Sequence, residues 1–207
     1  MKPATLNGAT ATQPPVNGIG PYPSGFRVGR RARLDPIEPH EYDLIARMEA
    51  LPPTDILYRN MAMTPSPGAF VESLWHGVSV QFAIRPAAGG DLVGLVACYN
   101  SDFRHGHATI AAHIFDDFRG RGWPIEGVVL FVNYLFFGFS YRKLYADVID
   151  LNLPTLRGEA GRLVREEGRL VDHYFVAGEH RDRVTLAIHR TDWVRSRYWI
   201  AATAAQR

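Results

Sequence analysis

Apolar residues change their spacing twice along this chain. Between Val78 and Phe115 they alternate or bunch in three short runs, VSVQFAIR (Val78–Arg85), DLVGLVACYN (Asp91–Asn100) and HATIAAHIF (His107–Phe115), separated by PAAGGD and SDFRHG. Short β-rich runs bounded by Gly, Pro, Asp and Ser predict strands joined by hairpin loops, so the middle of the chain reads as an antiparallel meander. Beyond it the period lengthens. Ile125, Val128, Val129, Val132, Leu135 and Phe136 fall at i, i+3, i+4, i+7, i+10 and i+11, the spacing of one helix face. KLYADVI (Lys143–Ile149) returns to strand character, and the helical crossover before it predicts a parallel pairing with the strand ahead of the helix. EGRLVDHYFV and DRVTLAIHR predict a last hairpin, and TDWVRSRYWI a terminal helix.

Ahead of the meander, Arg31–Ile37 reads as a basic strand leading into EPHEYDLIARMEALPP. There Tyr42, Ile45 and Met48–Glu49 take helical spacing before Pro52–Pro53 stop it. In TPSPGAFVESLWHG, Ser66 is the predicted N-cap, Pro67 the first helical residue, and Phe70, Leu74 and Trp75 the apolar face. LPTLRGEAG predicts a short helix from about Pro154. Residues 1–25 hold one lysine, prolines at 3, 14, 15, 21 and 23, and no apolar core, which predicts a disordered leader followed by a single domain over 26–207. The fold class that results is α/β (α+β by some schemes): a mixed, mostly antiparallel sheet of about seven strands flanked by helices, with one βαβ unit at its centre.

Composition narrows the function classes. A net charge of +2 on 207 residues does not by itself imply nucleic-acid binding. Cys98 is the only cysteine, which excludes an intramolecular disulfide and a cysteine metal cluster. The longest apolar stretch, Val128–Phe139, is interrupted by Asn133 and falls short of the roughly 20 residues that a bilayer span needs. The leader lacks the apolar core of a secretory signal. The expected location is therefore cytoplasmic, with no membrane partner.

The chemistry-bearing stretch is FRGRGWPIEG, Phe118–Gly127, placed between a strand and a helix. The first N–H groups of a helix lack partners, and its aligned dipoles favour an anion there. Gly120 and Gly122 let the backbone bend toward a ligand, and Arg119 and Arg121 add donors suited to phosphate oxygens. No lysine with a following Ser or Thr is present, so this is not a P-loop, and Ile125 stands where the dinucleotide fingerprint needs a third glycine. A tight connection with solvated arginines stays open as the alternative.

With its surroundings the stretch resembles the GNAT acyltransferase superfamily. Arg119-x-x-Gly122-x-Pro124 follows a strand and leads a helix, and a parallel strand ending in DLNLPT comes next. The resemblance runs from about Arg31 to Trp193 and takes in LDPIEPHEYDLI, GDLVGLV, FRGRGW and RKLYADV. The block EEGRLVDHYFVAGEHRDRVTLAIHRTDW is similar to the ribosomal-protein N-terminal acetyltransferase type. The resemblance implies acetyl-CoA or another acyl-CoA as co-substrate, with its pyrophosphate on the amides of Arg119, Gly120, Arg121, Gly122 and Trp123. It implies Ile114 and Phe115 as backbone donors to the thioester carbonyl, and Asn152 and Thr155 along the pantetheine arm. Pro124 departs from the family pattern, where a small residue carries one more N–H. A tyrosine acid seven residues beyond the asparagine is also missing, since that position is Glu159.

Acyl transfer to an amine needs a base, an oxyanion donor and a proton for the leaving thiolate. His113 is the candidate base because an unperturbed imidazole titrates near neutrality, with a hydrogen-bonded sheet histidine as the alternative reading. Glu159, Tyr145 and Glu126 are further candidates. His105, His107 and His113 show no four-ligand spacing, so no metal is expected. The expected activity is an N-acyltransferase acting on a primary amine of a small molecule or peptide. The competing donor is aminoacyl-tRNA or an acyl carrier protein, suggested by Pro124, by Arg27, Arg30, Arg31 and Arg33, and by Arg157, Arg162, Arg165 and Arg169. A third reading is a coenzyme A-binding domain without turnover. The C-terminal strands are a candidate homodimer face.

Overall fold

The computed structural model describes residues 26–52, 54–156 and 160–199. Seven strands form one sheet in the order β1-β2-β3-β4-β5-β7-β6. They are β1 (Ala32–Asp35), β2 (Val78–Pro86), β3 (Gly94–Asp102), β4 (His107–Ile114), β5 (Lys143–Ile149), β6 (Val164–Val176) and β7 (Glu179–His189). The helices are α1 (Tyr42–Glu49), α2 (Thr54–Leu57), α3 (Pro67–Trp75), α4 (Pro124–Gly138) and α5 (Arg190–Trp193). Every neighbouring pair is antiparallel except β4 and β5, which are parallel and joined by α4. The βαβ unit expected from the periodicity is present at the centre of the sheet.

The two faces of the sheet carry different layers because strand side chains alternate. Val96 and Cys98 of β3, Ala108 and Ile110 of β4, and Leu144 of β5 pack under α4, with Leu130, Phe131, Leu135 and Phe136 above them. Leu95 and Phe115 face the other way and meet Ile45 of α1 and Phe70 and Leu74 of α3. A salt bridge between Glu49, which is 1% exposed, and Arg59 ties α1 to the segment after α2. Arg59 also donates to the Ser73 carbonyl of α3, so one guanidinium gathers three short helical elements over that face. Ser66 caps α3 through the Ala69 N–H, and Pro67 begins it, as the sequence predicts.

Several expectations need correction. Of the predicted face of α4, Val132, Leu135 and Phe136 are buried, but Ile125 is 51% exposed, and the buried stripe also takes in Gly127, Leu130 and Phe131. The helix is apolar nearly all round, and such a helix leaves its inward direction ambiguous in sequence. Gly127 decides it, since a Cβ there would sit 2.6 Å from Ile84 Cγ2 and nothing larger lets the helix lie this close to β2. LPTLRGEAG does not begin an α-helix at Pro154. Instead 3-10 turns cover Asp150–Leu156, where Pro154 can give no helical N–H. The terminal helix expected over TDWVRSRYWI is interrupted: α5 ends at Trp193, a turn follows, and residues 197–199 are helical again. The leader expected over 1–25 lies outside the described residues. Among the described residues, no helix is long and apolar enough to cross a membrane.

Candidate active site

The parallel strands β4 and β5 pair only at His107↔Lys143, Ala108↔Leu144 and Thr109↔Tyr145. Beyond that point each keeps its outer partner, β4 pairing β3 as far as Ile114↔Gly94 and β5 pairing β7 as far as Ile149↔Arg183. The sheet therefore splits at its centre, and the inner edge of β4 has no strand beside it from Ile110 onward. Phe115 donates its N–H to Val93 O at 2.9 Å, toward β3. Backbone groups alternate sides along a strand, so the amides of Ala112 and Ile114 point into the split. The Ile114 amide thus faces the split, whereas the Phe115 amide is engaged on the β3 side.

Beyond β4 a 3-10 turn, Asp116–Phe118, delivers the chain to the glycine turn. Gly120 and Gly122 stand at φ of 72° and 74°, the left-handed region that side chains with a Cβ avoid. Arg119 N is bound to Asp116 O at 3.1 Å and Trp123 N to Arg121 O at 2.9 Å. Among the described residues, no protein acceptor takes the amides of Gly120 and Gly122, and the space where their Cβ atoms would stand is open to 4 Å. Pro124 opens α4 at a position whose N–H a helix leaves unused. Two unengaged amides at a helix start make an anion cradle.

The two arginines of the turn differ. Arg119 is tied back, its Nε donating to Ile114 O at 3.2 Å and contacting Asp116 Oδ1 at 2.9 Å. Arg121 lies over the Phe118 ring at 5.2 Å. Of the two, Arg121 is the exposed side chain without a carboxylate partner. Glu126, in the first turn of α4, accepts from the amides of Arg30 and Arg31 at 2.7 and 3.0 Å. Its charge is held by the N-terminal arm, so it is not positioned as a proton carrier in the split.

The expected proton carriers do not converge. His113 is 4% exposed, with Nε2 at 3.4 Å from Thr54 Oγ1 and its ring against Tyr58 and Phe115. Burial lowers its pKa to about 4, helped by the charges of Arg119 and Arg59, so the imidazole is neutral at pH 7 and a poor proton acceptor. The premise of a near-neutral titration does not hold here. Tyr145 pairs with Thr109, where the split begins, about 13 Å along the strand from His113. Its ring lies under the Lys143 ammonium and edge-on to His107. Lys143 in turn bonds Glu167, which also holds His189. Glu159 lies outside the described residues. Asn152 is exposed in the 3-10 stretch after β5, and Thr155 lies in the same stretch. Among the described residues, no group of three or more His, Cys, Asp or Glu gathers as a metal site.

The shift of His113 has a measurable consequence. Its folded pKa lies below the unfolded value of 6.5, so the unfolded chain binds the proton more readily. Its contribution is therefore full above pH 6.5 and is lost as pH falls toward 4. Urea denaturation should show the wild type losing about 3 kcal/mol more than His113→Gln over that window. Equal slopes for the two proteins would mean that the imidazole is solvated.

Sequence reasoning missed the polar face beside the split. Asp147 binds both Arg183 and Thr185 Oγ1, the latter at 2.7 Å. Tyr99 lies near enough to Asp147, Arg183 and Tyr174 to feel their charges, and Tyr58 near enough to feel Tyr99. In KLYADVI and DRVTLAIHR the polar residues alternate with apolar ones, which marks a polar face without saying what meets it.

A seven-stranded mixed sheet split between its two parallel strands and leading into a glycine turn at a helix start is a GNAT-like fold. Solved structures agree. A spermidine N-acetyltransferase from Vibrio cholerae in complex with CoA and spermine superimposes with a TM-score of 0.65 at 18% identity, over 80% of this chain and 99% of that one. A chimera of the Vibrio cholerae spermidine N-acetyltransferase SpeG and hSSAT gives 0.67 at 19% identity, over 80% and 99%. The SPbeta prophage-derived uncharacterized N-acetyltransferase YokL of Bacillus subtilis (strain 168) is 22% identical over 110 residues. That match spans 53% of this chain and 62% of the relative's own length. No family model matches the chain.

Proposed function

We propose that this protein is an N-acyltransferase that moves an acyl group, most simply acetyl, from acyl-coenzyme A to a primary amine. The observation that carries the reading is the split itself: unpaired amides on β4 run directly into the unengaged amides of Gly120 and Gly122. A thioester with a diphosphate handle matches that layout, with its anion at the turn and its extended arm beside β4. Coenzyme A supplies the activated acyl carbon. The chain's own residues hold the diphosphate at the turn, orient the arm, and place the Ile114 N–H where the thioester oxygen gathers charge. The amine nitrogen forms the new bond to the acyl carbon, the carbon–sulfur bond breaks, and the thiolate takes up the proton that the amine gives away.

The similarity of the C-terminal block to ribosomal-protein acetyltransferases supports a peptide N-terminus as acceptor, while the solved neighbours support a small polyamine. An aminoacyl-tRNA or carrier-protein donor has less support. Arg27 donates to Leu34 O, Arg33 pairs with Asp35, Arg165 with Asp192, and Arg169 with Glu166 and Asp182, so much of the basic surface is already engaged. A homodimer through β6 is supported by its exposed Leu170, Val171 and Phe175, and a cytoplasmic location by the single reduced Cys98.

Thiol release from acetyl-coenzyme A over a panel of primary amines tests the activity, with coenzyme A binding measured separately by calorimetry. Turnover of at least one amine is expected. Binding without any turnover would leave the non-catalytic reading in its place, and absence of binding would remove the donor.

A further inference from the structure

The polar face beside the split is aromatic and carries little free negative charge. Tyr58 reaches it from the segment after α2, Tyr99 from β3 and Tyr174 from β6, and all three are half-buried. Ala97 and Ala111 are directly paired between Tyr99 and His113, so the floor there is low. The strand carboxylates on this face are engaged: Asp147 by Arg183 and Thr185, and Glu167 by Lys143 and His189. Among the described residues, buried polar atoms without a partner along this face include His113 Nδ1, beside the Tyr58 ring, and Gln81 Oε1 of β2, whose residue pairs with Ala97.

Resting on the acyltransferase reading above, we propose that the acceptor is a monoamine carried on an aromatic body, an arylalkylamine in chemical class, rather than a polyamine. A polyamine brings two or more charges into the site, and burying each one is costly unless a carboxylate is free to pair with it. Here the carboxylates already have cations. A flat ring gains instead from edge and face contacts with tyrosines. A monoamine brings one such charge rather than several. The hydroxyls of Tyr99 and Tyr174, beside the Asp147–Arg183 pair, suit a polar ring substituent.

The full-length protein should be assayed for thiol release from acetyl-coenzyme A with 2-phenylethylamine and tyramine against spermidine and spermine. The arylalkylamines should show kcat/KM at least about tenfold above the polyamines. Tyr99→Ala and Tyr174→Ala should each raise KM for tyramine about fivefold, and Tyr99→Phe much less, with coenzyme A affinity unchanged in all three. A preference for spermidine, an unmoved KM in both alanine variants that bind coenzyme A normally, or coenzyme A binding without turnover of either amine class would overturn the acceptor assignment and leave the donor reading standing. Loss of coenzyme A binding in the wild type would remove both.

Discussion

Replacing both turn glycines, Gly120→Ala together with Gly122→Ala, should weaken coenzyme A binding about a hundredfold. The space at both positions is open, so the substitution collides with nothing in the protein. What it opposes is the backbone, because φ of 72° and 74° costs an L-residue about 1–2 kcal/mol apiece. The turn can keep that conformation and lose stability, or relax and lose the convergence of two N–H groups on one anion. Hydrogen bonds to a charged group contribute about 1.5–3 kcal/mol each, so losing much of both gives the expected factor. Calorimetry with coenzyme A reads the affinity, and a thermal melt separates it from a modest loss of stability. An unchanged affinity would show that the diphosphate is held elsewhere.

The largest stability effect is expected at a residue far from any chemistry. Arg190 aims its whole guanidinium at the C-terminal end of α4, donating to the carbonyls of Phe136, Phe139 and Tyr141 and lying 5.1 Å from the Phe136 ring centre. The last carbonyls of a helix have no partners of their own and carry the negative end of its dipole, so a cation there both caps and neutralises. Its own pKa is lowered by burial, which is the sign of a charge held among carbonyls. Arg190→Met keeps much of the length and removes every donor, and it should cost about 4 kcal/mol in urea denaturation. Arg190→Lys should recover only part of that, since one ammonium cannot reach three diverging carbonyls as a planar fork does. A loss below about 1 kcal/mol for the methionine variant would mean that solvent caps α4 instead.

Much of the fold was legible because it rests on local signals. The meander strands, the Ser66–Pro67 start of α3 and the run Lys143–Ile149 are set by side-chain alternation, capping and chain geometry, which act within a few residues. The parallel pairing of β5 followed from a handed crossover. Legibility failed where a decision belonged to partners distant in sequence. The inward face of α4 depends on Gly127 meeting Ile84.

The site divides the same way. The glycine turn was visible as a cradle because two glycines, two arginines and a helix start are neighbours in the chain. His113, Tyr145 and Glu126 were attractive as isolated side chains and lost that standing once their surroundings were known. A pKa is a property of burial and nearby charge, and the stretch that holds Thr54, Tyr58 and Arg59 folds back to join Arg119 around His113.

Residue order alone thus determined most of the elements, their sequence and the glycine bend, since those depend on spacing and on backbone freedom over a few bonds. Only the tertiary structure decided where the sheet parts, which amides face the gap, which arginine of the turn has no carboxylate partner, and that tyrosines and paired carboxylates line the neighbouring face. Those are outcomes of contacts between segments as far apart as Tyr58 and Tyr174, and no local pattern carries information about a contact formed only when distant segments meet.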